Sequence, residues 1–145
     1  MNKFVSLKEI YPLIAEQLSK GGSATFIIHG TSMLPLLKDG KDSVTVVRPN
    51  KLKRRDIILY TRENGDFILH RIVKVKKNEL ICRGDNQFEN ESVLRKNVLC
   101  VVSHYTKNGK RKSVKSVSHT VYSIFWLISL FPRRVIEKFC KGKRK

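Results

Sequence analysis

The alternation of apolar and polar residues divides this chain into a helical start, a β-rich middle and a basic, apolar end. Residues 6–20, SLKEIYPLIAEQLSK, place Ile10, Leu13, Ile14 and Leu18 at helical spacing, which predicts one apolar face. Ser6 with Glu9 three residues later makes a capping box, and Gly21-Gly22 ends the run. Pro12 interrupts the pattern, so the helix either kinks there or begins later. From residue 23 the period shortens. ATFIIH, SVTVV, DIILYT, DFILHRIVKV, NELICR and VLCVVSHY are short runs rich in Val, Ile, Phe and Tyr, separated by DGKD, RPNK, ENGD, KKN and GDNQ. Asn64-Gly65 sits at the tip of one expected hairpin, and RIVKVKKNELI reads as a second. Six strands so spaced predict a mainly β fold, a small coiled antiparallel β domain flanked by an N-terminal helix and a C-terminal basic amphipathic helix.

The expected organisation is a helix at 1–22, a β domain at 23–105, a basic linker at 106–116 and an amphipathic, basic segment at 117–145. A chain of 145 residues fits one domain with a small appendage. Cys82, Cys100 and Cys140 are odd in number and far apart, which reads as reduced thiols, with neither a disulfide framework nor a metal site. No cofactor is expected.

Charge sharpens the picture of the end. The net charge is +18, and residues 107–145 carry twelve Lys or Arg against one acid, Glu137. Such a field favours a polyanionic partner. The run VYSIFWLISLF, residues 121–131, is shorter than the roughly 20 apolar residues that cross a bilayer. An apolar helix holding Trp126 between cationic flanks suits an anionic membrane interface, with its ring at headgroup depth. Packing back on the β domain, docking on a partner, or binding nucleic acid are the other readings, nucleic acid being the weakest. The N-terminal stretch lacks a signal-peptide pattern, which leads to the expectation of a cytoplasmic protein, peripheral at the inner membrane face.

The candidate chemistry lies in three polar residues among apolar segments: Ser32 in HGTSMLPLL, His70 at the end of FILH, and Asp85 in RGDN. A hydroxyl nucleophile needs a neighbouring base and a group that orients the base, roles that suit Ser, His and a carboxylate. The alternative is that each is structural, as lone residues of these types usually are. Together they form an ordered set. Gly30-Thr31-Ser32-Met33-Leu34-Pro35 resembles the G-x-S-M-x-P box of serine peptidases related to signal peptidase I and to the LexA-type self-cleaving repressors. Arg55-Asp56-Ile57-Ile58, His70-Arg71-Ile72-Val73 and Gly84-Asp85-Asn86 resemble the later boxes of that superfamily, in the same order, over about residues 23–105.

The resemblance implies a LexA/signal peptidase type of β fold and a serine endopeptidase that cleaves a peptide or protein precursor, with leader removal at a membrane surface as one form. His70, where bacterial leader peptidases carry Lys, resembles the endoplasmic-reticulum and archaeal type. By the resemblance Ser32 is the nucleophile, His70 the general base and Asp85 the orienting carboxylate. Met33 and Pro35 would shape the loop, and the Ser32 N–H would help bind the oxyanion. Gly30 stands where His-type relatives place Ser, leaving Thr31 as another hydroxyl donor. Arg55 stands where relatives have Gly, so a positive φ there would strain it. A His base of ordinary pKa predicts activity falling below about pH 6–7. The competing reading is a catalytically inactive module that binds anionic membrane or nucleic acid through its basic C-terminal segment.

Overall fold

The structure is a computed structural model that describes residues 6–129 together with Arg133, Glu137 and Lys138. The rest of the 117–145 segment, Cys140 included, lies outside the described residues. Helix α1 spans Leu7–Ser19. Ser6 caps it as expected: its Oγ accepts from the Glu9 N–H, and Glu9 Oε2 accepts from the Ser6 N–H. The helix runs through Pro12 without starting later. Its buried side is Ile14 and Leu18, with Leu7, Ile10 and Tyr11 partly covered, while Leu13 is exposed and does not belong to that face.

Eight antiparallel strands follow: β1 (Ala24–Ile27), β2 (Ser43–Val47), β3 (Ile57–Thr61), β4 (Phe67–Val75), β5 (Glu79–Arg83), β6 (Glu91–Leu94), β7 (Val98–Lys107) and β8 (Lys110–Ser113). They form one sheet in the order β1-β2-β7-β3-β4-β5-β6, with β8 on β7. Register shifts at Thr45/Val46, Leu59/Tyr60 and Ile72/Lys74 let the sheet bend, because each unpaired residue adds local twist. Two cores result. One gathers Phe26, Met33, Leu37, Val44, Leu59 and Val102 under α1; the other gathers Ile58, Tyr60, Ile72, Leu80 and Val93.

Both expected hairpins form. β3 and β4 meet at Thr61↔Phe67 around Gly65, and β4 and β5 meet at Val75↔Leu80. Two strands differ from expectation. β6 lies in ESVL, four residues beside polar loops, too short to signal itself by pattern. Residues 106–116, expected as a linker, instead complete β7 and turn at Asn108-Gly109 into β8. Both turn residues have positive φ, which closes a tight hairpin that basic side chains do not oppose.

Helix α2 (Val117–Ile128) returns to the β domain. Ser116 caps it by accepting from the His119 N–H. His119 and Ser123 are buried, and Tyr122 and Trp126 reach the loop after β5. No helix among the described residues is long and apolar enough to cross a membrane. Cys82 and Cys100 are buried and unpaired with each other.

Candidate active site

Ser32 sits in a turn between β1 and β2 that its apolar neighbours hold down. Met33, Leu36 and Leu37 are buried, so the loop is anchored by burial on one side while Ser32 stays part-exposed. Gly30 enters the turn at φ +94°, a region that disfavours a side chain, and its N–H donates to Asp39 Oδ1 at 2.9 Å. The Leu34 N–H donates to the Thr31 carbonyl at 3.2 Å and the Leu37 N–H to the Met33 carbonyl at 3.0 Å. The Leu34–Pro35 peptide is cis, and Lys107 Nζ donates to the Pro35 carbonyl at 2.7 Å.

His70 reaches the same place from β4. The point of convergence is Gly84. A β-carbon added there would stand 2.5 Å from the Ser32 carbonyl oxygen, 3.1 Å from His70 Nε2 and 3.1 Å from Gln87 Oε1. The loop that follows β5 therefore packs closely against both the Ser32 turn and the imidazole, and only a glycine fits. Asn86 fastens this junction: its N–H donates to the Ser32 carbonyl at 2.8 Å and its Nδ2 to the Thr31 carbonyl at 3.1 Å. Among the described residues the Ser32 N–H has no acceptor, and Ser32 Oγ has no hydrogen bond to His70. A catalytic hydrogen bond that tightens only with substrate bound is compatible with the second point.

The partners of His70 fix its chemistry. Nδ1 lies 3.1 Å from the Tyr60 hydroxyl, and that hydroxyl donates to Glu91 Oε2 at 2.6 Å. Arg62 donates to both carboxylate oxygens of Glu91, at 2.6 and 3.0 Å, and this pairing is the main reason the Glu91 carboxyl titrates below its ordinary range. Glu91 is thus an acceptor only, and the Tyr60 proton is committed to it. The network then assigns Nδ1–H as donor to Tyr60, which leaves the lone pair on Nε2, the nitrogen beside Gly84. Burial draws the His70 pKa down to about 4, and the Glu91 charge offsets part of that.

Asp85 occupies a different place from the one expected. Its carboxylate is held by Arg71, Nε to Oδ1 at 2.8 Å and Nη2 to Oδ2 at 2.8 Å, and by the Tyr122 hydroxyl at 3.0 Å. It makes no hydrogen bond to His70 and acts on it only through space, more weakly than Glu91 does. The cause is the strand period. His70 pairs with Ile58 and Arg71 with Ile57, so the two side chains leave β4 on opposite faces. Arg71 also pairs with Arg83, two residues before Asp85, which brings the carboxylate beside the guanidinium. The group that orients His70 is Tyr60 with Glu91. Neither was singled out from the sequence: Tyr60 reads as one more aromatic strand residue, and Glu91 as a loop acid. The one available signal was a hydroxyl inside DIILYT two positions from the strand partner of His70.

Ser32 and His70 line one cleft of about 730 Å³. Leu7 and Ile10 of α1, Phe26 and Ile28 near β1, Met33, and Phe67 and Leu69 of β4 give it an apolar lining, with Gln87 and Arg62 as polar features. Among the described residues no cluster of three or more His, Cys, Asp or Glu is placed to hold a metal ion. No protein-family model matches the chain, and no curated protein matches it.

Proposed function

We propose that this chain is a serine endopeptidase with a LexA/signal peptidase type of β fold, in which Ser32 and His70 form the catalytic pair. The observation that carries the reading is the convergence at Gly84 of the Ser32 turn and the unprotonated Nε2 of His70, at one end of an apolar cleft.

The chemistry follows from that arrangement. Ser32 Oγ attacks the scissile carbonyl carbon while Nε2 takes its proton, and the imidazolium is supported on its far side by Tyr60 and the Glu91 carboxylate. The unengaged Ser32 N–H donates to the developing oxyanion. The tetrahedral intermediate collapses with cleavage of the C–N bond, His70 returns the proton to the leaving amine, and an ester on Ser32 remains. Water, deprotonated by Nε2, then hydrolyses that ester. Thr31 is exposed beside Ser32 and is the second candidate donor to the oxyanion. Gly30 does not supply a hydroxyl. The lining of the cleft favours a substrate with apolar residues beside the scissile bond, carried on a peptide or protein precursor.

The test is labelling with a fluorophosphonate probe, which phosphonylates activated serines with loss of fluoride. Wild type is expected to label and Ser32→Ala and His70→Ala are not. Equal labelling of wild type and Ser32→Ala removes the nucleophile assignment, and the reading as an inactive binding module takes its place.

A further inference from the structure

The two faces of α2 have different fates. The inner face is committed: Tyr122 donates to Asp85 Oδ2, Trp126 Nε1 donates to the Asp85 carbonyl at 2.5 Å, and His119 and Ser123 are buried. The Trp126 indole, expected at headgroup depth, is therefore turned into the protein. The outer face carries Val117, Val121, Ile124, Phe125 and Ile128, whose spacing forms one stripe along the helix. Val117 is 79% exposed, Phe125 65% and Ile128 74%. A contiguous apolar stripe of this kind on a protein surface marks an interaction site.

Charge selects the partner. Residues 107–129 hold five Lys or Arg and no acid, and Lys110, Arg111, Lys112 and Lys115 are exposed just before the helix. The sequence after it, residues 133–145, adds seven more basic residues and one acid. A second copy of the chain would bring the same charge to the contact, and nucleic acid has no use for an apolar stripe. A surface that is negative outside and apolar beneath matches both features.

We propose that the outer face of α2 docks in the plane of an anionic bilayer, with Val121, Phe125 and Ile128 among the acyl chains and the β8 cations on the headgroups. Over its described residues the helix is not long and apolar enough to cross, and in this proposal it lies along the surface. The same helix holds Asp85, and Asn86 beside it holds the Thr31 and Ser32 carbonyls, so docking is mechanically tied to the Ser32 turn. The proposal does not depend on the peptidase reading.

Sedimentation with phosphatidylcholine vesicles, with and without phosphatidylserine, tests it. Wild type is expected to pellet with the anionic vesicles alone, less so as NaCl rises. Val121→Glu with Phe125→Glu, both solvent-facing and so harmless to the fold by circular dichroism, is expected to bind about tenfold more weakly or worse. Lys110→Gln with Arg111→Gln and Lys112→Gln is expected to flatten the salt dependence. Ser32→Ala binds as wild type, which keeps the outcome separate from the fate of the peptidase reading. Absence of pelleting, equal binding by Val121→Glu/Phe125→Glu, or a wild-type dimer that this pair converts to monomer would each overturn the proposal.

Discussion

His70 and Arg71 leave β4 on opposite faces, and the polar cluster that each enters is finished differently. Around Arg71 all three guanidinium nitrogens are engaged. Its guanidinium, 1% exposed, grips both oxygens of Asp85, donates to the Arg55 carbonyl at 3.0 Å, and lies 5.7 Å from the Tyr122 ring centre. Around His70 the matching stops one atom short. Nδ1 is tied through Tyr60 to Glu91, and Nε2 is left beside Gly84 and the cleft. A buried polar group that is fully paired rigidifies a fold, and one that keeps a lone pair toward a cleft is available for chemistry. Substitutions in the two clusters should therefore separate stability from activity.

The largest effect is expected on the Arg71 side. Asp85→Asn leaves a buried guanidinium without its counter-charge, which should cost about 3–5 kcal/mol in urea unfolding. His70→Gln should change stability far less while abolishing probe labelling. If the two variants unfold at the same urea concentration, the division between a structural and a chemical cluster is wrong.

Within the His70 cluster, Tyr60→Phe removes the group that fixes the tautomer and should lower kcat/KM by about 10²-fold. Glu91→Gln should act in the same direction and move the acid limb of the pH profile. Burial places His70 at about 4, so the limb lies below the pH 6–7 expected for an ordinary imidazole. The Glu91 charge raises that value, so its loss shifts the limb lower still. A limb unmoved in Glu91→Gln would show that Glu91 does not reach the imidazole.

The histidines also set the acid stability of both clusters. His119 accepts from Arg71 at Nε2, 3.4 Å away, so its Nδ1–H donates to the Tyr105 hydroxyl, and burial with the Arg71 charge pulls it down to about 4. Both histidines bind a proton in the unfolded chain near pH 6.5 but stay neutral when folded. Their stabilisation is complete above pH 6.5 and is lost as pH falls from there toward 4, on the order of 2–3 kcal/mol each. Thermal melts across that window should show the drop, and His119→Gln should flatten part of it. A melting temperature flat from pH 7 to 4.5 would rule out buried neutral histidines.

How much of this was readable beforehand depends on the range of the signal. Strand periodicity and turn residues located six of the eight strands, the helix cap and both hairpins, because each is written in adjacent residues. ESVL and the β8 residues KRKS carry no pattern of their own and become strands only because β5 and β7 present open edges to them. The ordered boxes brought Ser32, His70 and Asp85 into view, and the first two line one cleft. The role of Asp85 was not readable, since it turns on which face of β4 a carboxylate from another loop approaches. Tyr60 and Glu91 lie 31 residues apart in sequence, and only the sheet brings them together.

The smallest expected effect falls at the backbone that Arg71 grips. Arg55 has φ +81°, in the left-handed region that favours glycine. Hydrogen bonds hold it there from both sides: its N–H donates to the Ile72 carbonyl at 2.8 Å, and its carbonyl accepts from Arg71. The conformation costs a side-chain-bearing residue about 1–2 kcal/mol, and part of the relief in a glycine is offset by the freedom glycine gains when unfolded. Arg55→Gly should thus stabilise the chain by about 1 kcal/mol, whereas Arg55→Ala keeps the strain and gains nothing. Chemical denaturation of the pair decides it. If alanine stabilises as much as glycine, the gain comes from removing the Arg55 charge near Arg71, and the backbone at this junction is not strained.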